Sequence, residues 1–177
     1  HLQMSPASTS HRPPDLAAAA ASHGVPIGAE ERLRTAKANL DALGDRAADL
    51  GAALDAWTRR LDDEAWFRTR EGDIHRQRVS DGAWIHRAAD RALAESIPLP
   101  ADILSGDLQR ARPVTIEGLS APWLFLRIAA ATPPTQNGHR PRLQIVQADA
   151  HEFLDGLACA DMTAVLADDR VRVFVGP

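Results

Sequence analysis

This chain has one cysteine, one lysine and no long apolar run, and each of these shortages excludes a structural feature or suggests the origin of the protein. Cys159 is the only cysteine among 177 residues, which excludes an internal disulfide and any metal site built from cysteines alone. No apolar run approaches the roughly 20 residues that a membrane-spanning helix needs. Lys37 is the only lysine, and the dominance of arginine together with abundant alanine suggests a GC-rich bacterial genome.

Charge and composition exclude further classes. The formal net charge is -4, whereas a non-specific nucleic-acid binder is normally basic, so no nucleic-acid partner is expected. The first residues lack the basic and apolar regions of a signal peptide, which makes cytoplasmic residence the expectation. Hydrophobic residues make up 45% of the chain and charged residues 25%, the balance of an ordinary globular protein.

The first hundred residues divide into a tail and a mixed segment. Residues 1–27 are predicted to be a flexible tail with a possible short helix over Leu16–Ala21, because little of this stretch can be buried. Residues 28–100 are predicted to hold a helical pair and a small antiparallel β-meander. The predicted elements are helices at Ala29–Leu43 and Ala47–Asp62, strands within Trp66–Arg70, Ile74–Val79 and Ala83–His86, and a helical turn or two within Asp90–Ile97.

The second half, residues 101–177, reads as β-α-β-α-β. β-branched runs alternate with segments of helical period, which is typical of a parallel sheet with crossover helices. The predicted strands are Val114–Ile116, Leu143–Val146 and Val171–Val175, and the predicted helices are Ala121–Ala131 and Ala150–Ala158. The fold class is therefore α/β, with N-terminal helices and a meander followed by a three-stranded Rossmann-like half-domain.

A three-stranded parallel sheet needs cover on two faces. Successive crossovers in one direction place both crossover helices on the same face. We therefore expect the helices of residues 28–63 to cover the other face, and we expect self-association through whatever remains open.

The loop after the first parallel strand is the natural ligand position in such a sheet. The candidate cofactor-binding residues are Gly118, Ser120, Gln147 and Asp149. However, Gly118 is one glycine where a dinucleotide loop needs three, and Gln147 stands where a ribose-binding carboxylate is usual. Asp149 is more simply explained as a helix N-cap. No cofactor is expected in this chain.

Arginines concentrate in the meander. The candidate anion-binding residues are Arg68, Arg70, Arg76 and Arg78. Alternation would place Arg76 and Arg78 on one face of their strand, where they could grip a phosphate or an acidic surface. The alternative, which we favour, is a solvated sheet edge that resists aggregation.

The sequence gives little evidence for a metal site or a catalytic nucleophile. The histidines are scattered, and His75 with His86 across the meander is expected to be a surface pair, so no metal site is predicted. Cys159 lies on an apolar helix face and is expected to be a buried, inert thiol. No catalytic residue is predicted.

Several segments resemble a known family. They are Asn39–Leu43, the hairpin Asp81–His86, the strand end Ile145–Asp149, and the closing stretches Asp155–Leu157 and Leu166–Pro177. With them, residues 39–177 resemble the N-terminal region of bacterial glycosyltransferases of the motility-accessory-factor and spore-maturation type (glycosyltransferase family 4-like). Such proteins usually carry G-x-G-x-G after the first strand and an acidic residue at the position of Gln147. The resemblance implies that the sugar-transfer site lies in a C-terminal catalytic domain outside this chain.

The expected function is that of a non-catalytic N-terminal domain of a bacterial glycosyltransferase, serving scaffolding or partner recognition. Its expected partners are that catalytic domain or a second copy of the chain. One alternative is a Rossmann-type methyltransferase-like or nucleotide-binding fragment that uses Gly118, Gln147 and Asp149. A second alternative is a protein-interaction module whose helices bind another protein.

Overall fold

The computed structural model describes residues 24–85, 91–99, 113–119, 122–132 and 141–176. Its strands are β1 Val25–Ile27, β2 Glu64–Arg68, β3 Ile74–Arg78, β4 Trp84–Ile85, β5 Val114–Glu117, β6 Leu143–Gln147 and β7 Val171–Val175. Its α-helices are α1 Ala29–Leu43, α2 Gly51–Thr58, α3 Arg91–Ser96, α4 Pro122–Ala131, α5 Ala150–Cys159 and α6 Thr163–Leu166. Gly44–Leu50 and Leu61–Asp63 form 3₁₀ helices. The fold is α/β, as the sequence predicts.

The first sheet is the predicted antiparallel meander with one added strand. Its order is β1-β2-β3-β4, and Trp66 of β2 lies opposite Arg76 of β3. The predicted tail extends too far, because Val25–Ile27 forms β1 and pairs with β2. A three-residue edge strand is too short to show an alternating pattern in the sequence.

The second sheet is the predicted parallel unit, with strand order β5-β6-β7. Its inner face carries the apolar side chains Ile116, Leu143, Ile145 and Val171, all of them buried. The crossover helices α4 and α5 contact each other and belong to the same apolar core as these strands. Both crossovers therefore lie on one face of the sheet, as expected.

The N-terminal helices do not cover the other face of this sheet, which corrects the prediction. α1 packs instead on α5 and α6, and α2 packs on α5. The reason lies in α5, in which seven of ten residues are buried. A helix that is apolar nearly all round needs neighbours on both sides, and α1 and the sheet provide them. The helices thus form a second layer on the already covered side.

The remaining face of the parallel sheet is called the open face below. Its side chains are Thr115, Glu117, Gln144, Val146, Arg172 and Phe174. All six are exposed or half-buried, and the two largest apolar ones, Val146 and Phe174, are 41% and 53% exposed. A parallel sheet is normally covered on both faces, so this exposure is a distinctive feature of the fold.

The predicted helix Ala47–Asp62 is wrong in detail. A 3₁₀ helix runs from Gly44 to Leu50, and regular α-helix extends only over Gly51–Thr58. The Arg46 guanidinium organises this turn by donating to five backbone carbonyl oxygens, those of Ala42, Leu43, Leu166, Asp168 and Val171. One side chain thereby joins the end of α1 to the chain between α6 and β7.

The predicted short helix at Leu16–Ala21 and the candidate residues Ser120 and His86 lie outside the described residues. The helical turns expected within Asp90–Ile97 are confirmed as α3.

Gly156 of α5 provides a test of how tightly the loop after β5 is packed. A Cβ atom at this position would lie 2.3 Å from the Leu119 carbonyl oxygen, whereas a Cβ at Gly51 would meet nothing within 4 Å. We expect Gly156→Ala to lower the free energy of unfolding by about 2 kcal/mol, because backbone overlap outweighs the gain in helix propensity. Gly51→Ala, the matched control, should raise it by about 0.5–1 kcal/mol. Urea denaturation measures both, and stabilisation by Gly156→Ala would show that the contact is loose.

Candidate functional site

The predicted cofactor loop forms hydrogen bonds with neighbouring residues of the protein. Gly118 adopts a φ of 80°, a left-handed conformation that favours glycine, and its N–H donates to the Val146 carbonyl oxygen at 2.8 Å. The next N–H, of Leu119, donates to Oε1 of Gln147 at 2.8 Å. Gln147 is buried, and its Nε2 donates to Glu152 at 3.1 Å. The structure thus brings Gly118 and Gln147 together, with the Gln147 amide bonded to the loop and to α5.

Asp149 is the N-cap of α5. Its Oδ1 accepts the backbone N–H of Glu152 at 2.8 Å, which confirms the capping interpretation. Asp149 and Glu152 together bring two acidic residues to the positive end of the helix dipole, so this helix terminus is already compensated.

The four meander arginines do not form a cluster. Arg68 pairs with Glu31 at 3.2 Å, Arg78 pairs with Asp81 at 2.8 Å, and Arg70 is an exposed residue of the β2–β3 turn. Arg76 is 5% exposed, so the solvated-edge interpretation is wrong for this residue. The Arg76 side chain meets Glu64 and Trp66 of β2 and Asp155 of α5, and these neighbours bury it, whereas His75 and Arg78 of the same strand are exposed.

A cleft with a volume of about 400 Å³ lies where the meander meets the N-terminus of α5. The lining residue Asp149 follows the last residue of β6 by two positions, so the cleft lies next to the carboxyl end of this strand. Ligands bind at this edge in open α/β sheets. The lining residues of the cleft are Arg32, Trp57, Arg60, Leu61, Asp63, Glu64, Trp66, Arg76, Asp149, His151, Glu152 and Asp155. Two of these residues were candidates in the sequence, Asp149 for cofactor binding and Arg76 for anion binding.

One wall of the cleft is an ion-paired set centred on Arg76. Its Nε donates to Glu64 at 2.7 Å, and its terminal nitrogen donates to Glu64 and, at 2.8 Å, to Asp155. The Trp57 indole N–H donates to the other oxygen of Asp155 at 2.8 Å. Burial opposes the charge of Arg76, but Asp155 and Glu64 outweigh burial and raise its pKa. These contacts link β2, β3, α2 and α5.

Two guanidinium groups lie over the same indole ring. Arg76 is 4.6 Å and Arg32 is 5.1 Å from the ring centre of Trp66, within the range of cation–π attraction. Arg32 projects from α1, is 4% exposed, and donates to the Leu61 carbonyl oxygen at 2.7 Å. Burial lowers the pKa of Arg32.

Cys159 confirms the expectation of a buried thiol. It lies at the end of α5, and its Sγ donates to the Asp155 carbonyl oxygen at 3.2 Å. Burial raises the pKa of the thiol to about 12, so almost none of it is thiolate at neutral pH. It does not supply a nucleophile to the cleft.

Comparison with known proteins gives no assignment. No protein-family model, no curated protein and no solved structure matches the chain. Among the residues that the structure describes, no group of three or more His, Cys, Asp and Glu side chains is placed to hold a metal ion. None of the described helices has the length and apolar character to cross a membrane.

Proposed function

We propose that this chain is a non-catalytic N-terminal domain of a bacterial glycosyltransferase and that it recognises a neighbouring polypeptide domain through the open face. The observation that supports the proposal is the exposure of Val146 and Phe174 at 41% and 53% on a parallel sheet. Burying such a face under another domain removes apolar surface from water, which is the main favourable contribution to most protein association.

The charges on the open face fit a polypeptide partner. Glu117 and Arg172 lie on opposite outer strands of the face, with Val146 between them in β6. An apolar centre with charged groups at its margin is the usual anatomy of a protein interface. The family part of the proposal rests on the resemblance of segments such as Asp81–His86 and Leu166–Pro177 to glycosyltransferase N-terminal regions.

The nucleotide-binding alternative has weaker support. Its candidate residues Gln147 and Asp149 already accept backbone N–H groups, those of Leu119 and Glu152. A ribose or phosphate would have to compete with bonds made inside the protein. We therefore expect calorimetric titration with S-adenosylmethionine, NAD or a nucleotide-sugar to show no tight binding.

Site-specific crosslinking tests the proposed docking. A photoreactive benzoylphenylalanine replacing Phe174 should, in the host cell, crosslink to a polypeptide that carries a sugar-transfer domain, which mass spectrometry identifies. The same group replacing Ala48, an exposed residue of the first 3₁₀ helix, is the control and should give no such product. Crosslinking at position 174 only to a second copy of the chain, or to no protein, would overturn the proposal.

A further inference from the structure

Arg32 stands out among the residues that line the cleft. It is 4% exposed, yet no carboxylate among the described residues forms an ion pair with it, and none of them accepts a hydrogen bond from its Nε. Its one side-chain hydrogen bond to a described residue goes to the neutral Leu61 carbonyl oxygen. Arg76, over the same indole, has two carboxylate partners. Buried charges in proteins are usually paired, so Arg32 is unusual in bordering a cleft without an ion-pair partner in the described part of the chain.

The rest of the cleft has the opposite sign. Five carboxylates and three guanidinium groups line it, which leaves a net negative charge after pairing. Glu64 and Asp155 are bonded to Arg76, while Asp63 is largely exposed and is paired with the equally exposed Arg60 at 3.5 Å. A simple anion that approached Arg32 would therefore be repelled by nearby carboxylates. A simple cation would be repelled by Arg32 itself and would leave its charge unpaired.

We propose that the cleft binds a small zwitterion, with the chemistry of a free α-amino acid, whose carboxylate pairs with Arg32 while its ammonium group faces the acidic lining. Guanidinium and carboxylate form the strong, charge-assisted hydrogen bonds that hold such ligands. A volume of about 400 Å³ lies within the range of small-molecule sites and exceeds the needs of a single ion. The position beyond β6 is the ligand edge of an α/β sheet.

Thermal unfolding of the whole chain with single ligands tests the site. Glycine, L-glutamate, L-lysine and L-phenylalanine are the probes, with acetate and methylamine as partners that carry one charge each. At least one amino acid should raise the melting temperature by about 5–10 °C when its concentration is about a hundredfold above Kd. Acetate and methylamine at the same concentration should leave it unchanged.

Arg32→Met separates ligand binding from a structural role. Without ligand, this variant should melt within about 5 °C of the parent. Removing a buried charge that has no ion-pair partner among the described residues offsets the loss of the hydrogen bond to the Leu61 carbonyl oxygen. The Kd of the variant for the amino acid should rise at least about tenfold. Arg34→Met, at an exposed position of the same helix, should bind as the parent does.

Three results would overturn the proposal. They are the absence of a shift with every amino acid, an equal shift with acetate, and an equal shift in Arg32→Met. If Arg32→Met fails to fold, Arg32→Lys keeps the charge but loses the forked donor, and unchanged affinity in that variant would count against the proposal equally.

Discussion

Replacing Asn39 by leucine should lower the free energy of unfolding by about 4 kcal/mol. Asn39 is fully buried in α1, and its Nδ2 donates to the carbonyl oxygens of Leu157 at 2.7 Å and Ala160 at 2.8 Å. Its Oδ1 accepts the backbone N–H of Met162 at 2.9 Å. Leucine fills the space but leaves two carbonyl oxygens and one N–H buried without partners, at about 1–3 kcal/mol each. Urea denaturation followed by tryptophan fluorescence measures the loss.

Two further variants show whether the hydrogen bonds are the cause. Asn39→Asp keeps an acceptor for Met162 but turns an oxygen toward the two carbonyl groups, so it should also be strongly destabilising. Lys37→Leu changes an exposed position of the same helix and should alter stability by no more than about 0.5 kcal/mol. A loss below about 1 kcal/mol in Asn39→Leu would show that the turn between α5 and α6 does not depend on this side chain.

The confirmed predictions concern segments whose local sequence pattern matches their position in the tertiary structure. The β-branched runs Leu143–Val146 and Val171–Val175 fall on β6 and β7 within one residue, because most inner side chains of these strands are apolar, with Gln147 the exception. Asp81-Gly82, a dipeptide typical of hairpin turns, lies in the turn between the predicted strands β3 and β4. Asp149 was identified as a cap because capping is a local interaction.

The buried face of α1 could not be predicted from its leucines. The buried residues of this helix are Arg32, Ala36, Asn39 and Leu43, spaced four, three and four apart, whereas Leu33 and Leu40 are only half-buried. Two of the four buried positions are polar, and hydrophobic periodicity cannot detect them. Their partners, Leu61 for Arg32 and the turn after α5 for Asn39, lie 29 or more residues away. Arg32 and Asn39 lie four and three residues from the buried Ala36. This helical spacing was the signal in the sequence that could have placed both polar residues on the buried face.

The cleft was missed for the same reason. It brings together Glu64, Arg76 and Asp155 from three distant segments, and each of these residues taken alone is typical of a solvated surface. Only the packing of α5 against the meander places their charges in contact. The sequence nevertheless indicated the correct region of the parallel unit, since Asp149 lines the cleft.

Arg76→Met should lower the free energy of unfolding by about 3–5 kcal/mol. The substitution removes the cation that Glu64 and Asp155 share and leaves two neighbouring carboxylates in a largely buried setting, with side chains 23% and 15% exposed. It also removes the guanidinium from the face of Trp66. Because Asp155 belongs to α5 and Glu64 to β2, the variant should loosen the junction of the meander with the parallel unit. Chemical denaturation measures the effect.

Arg78→Met is the matched control on the same strand. Within the described residues Arg78 pairs with Asp81 alone, and both side chains are well exposed, so its loss should cost less than about 1 kcal/mol. Adding Glu64→Gln and Asp155→Asn to Arg76→Met removes the two uncompensated negative charges. The triple variant should recover much of the lost free energy of unfolding, because removing one member of a buried ion pair costs more than replacing every member. If Arg76→Met were no more destabilising than Arg78→Met, the ion-paired wall of the cleft would not hold the two sheets together.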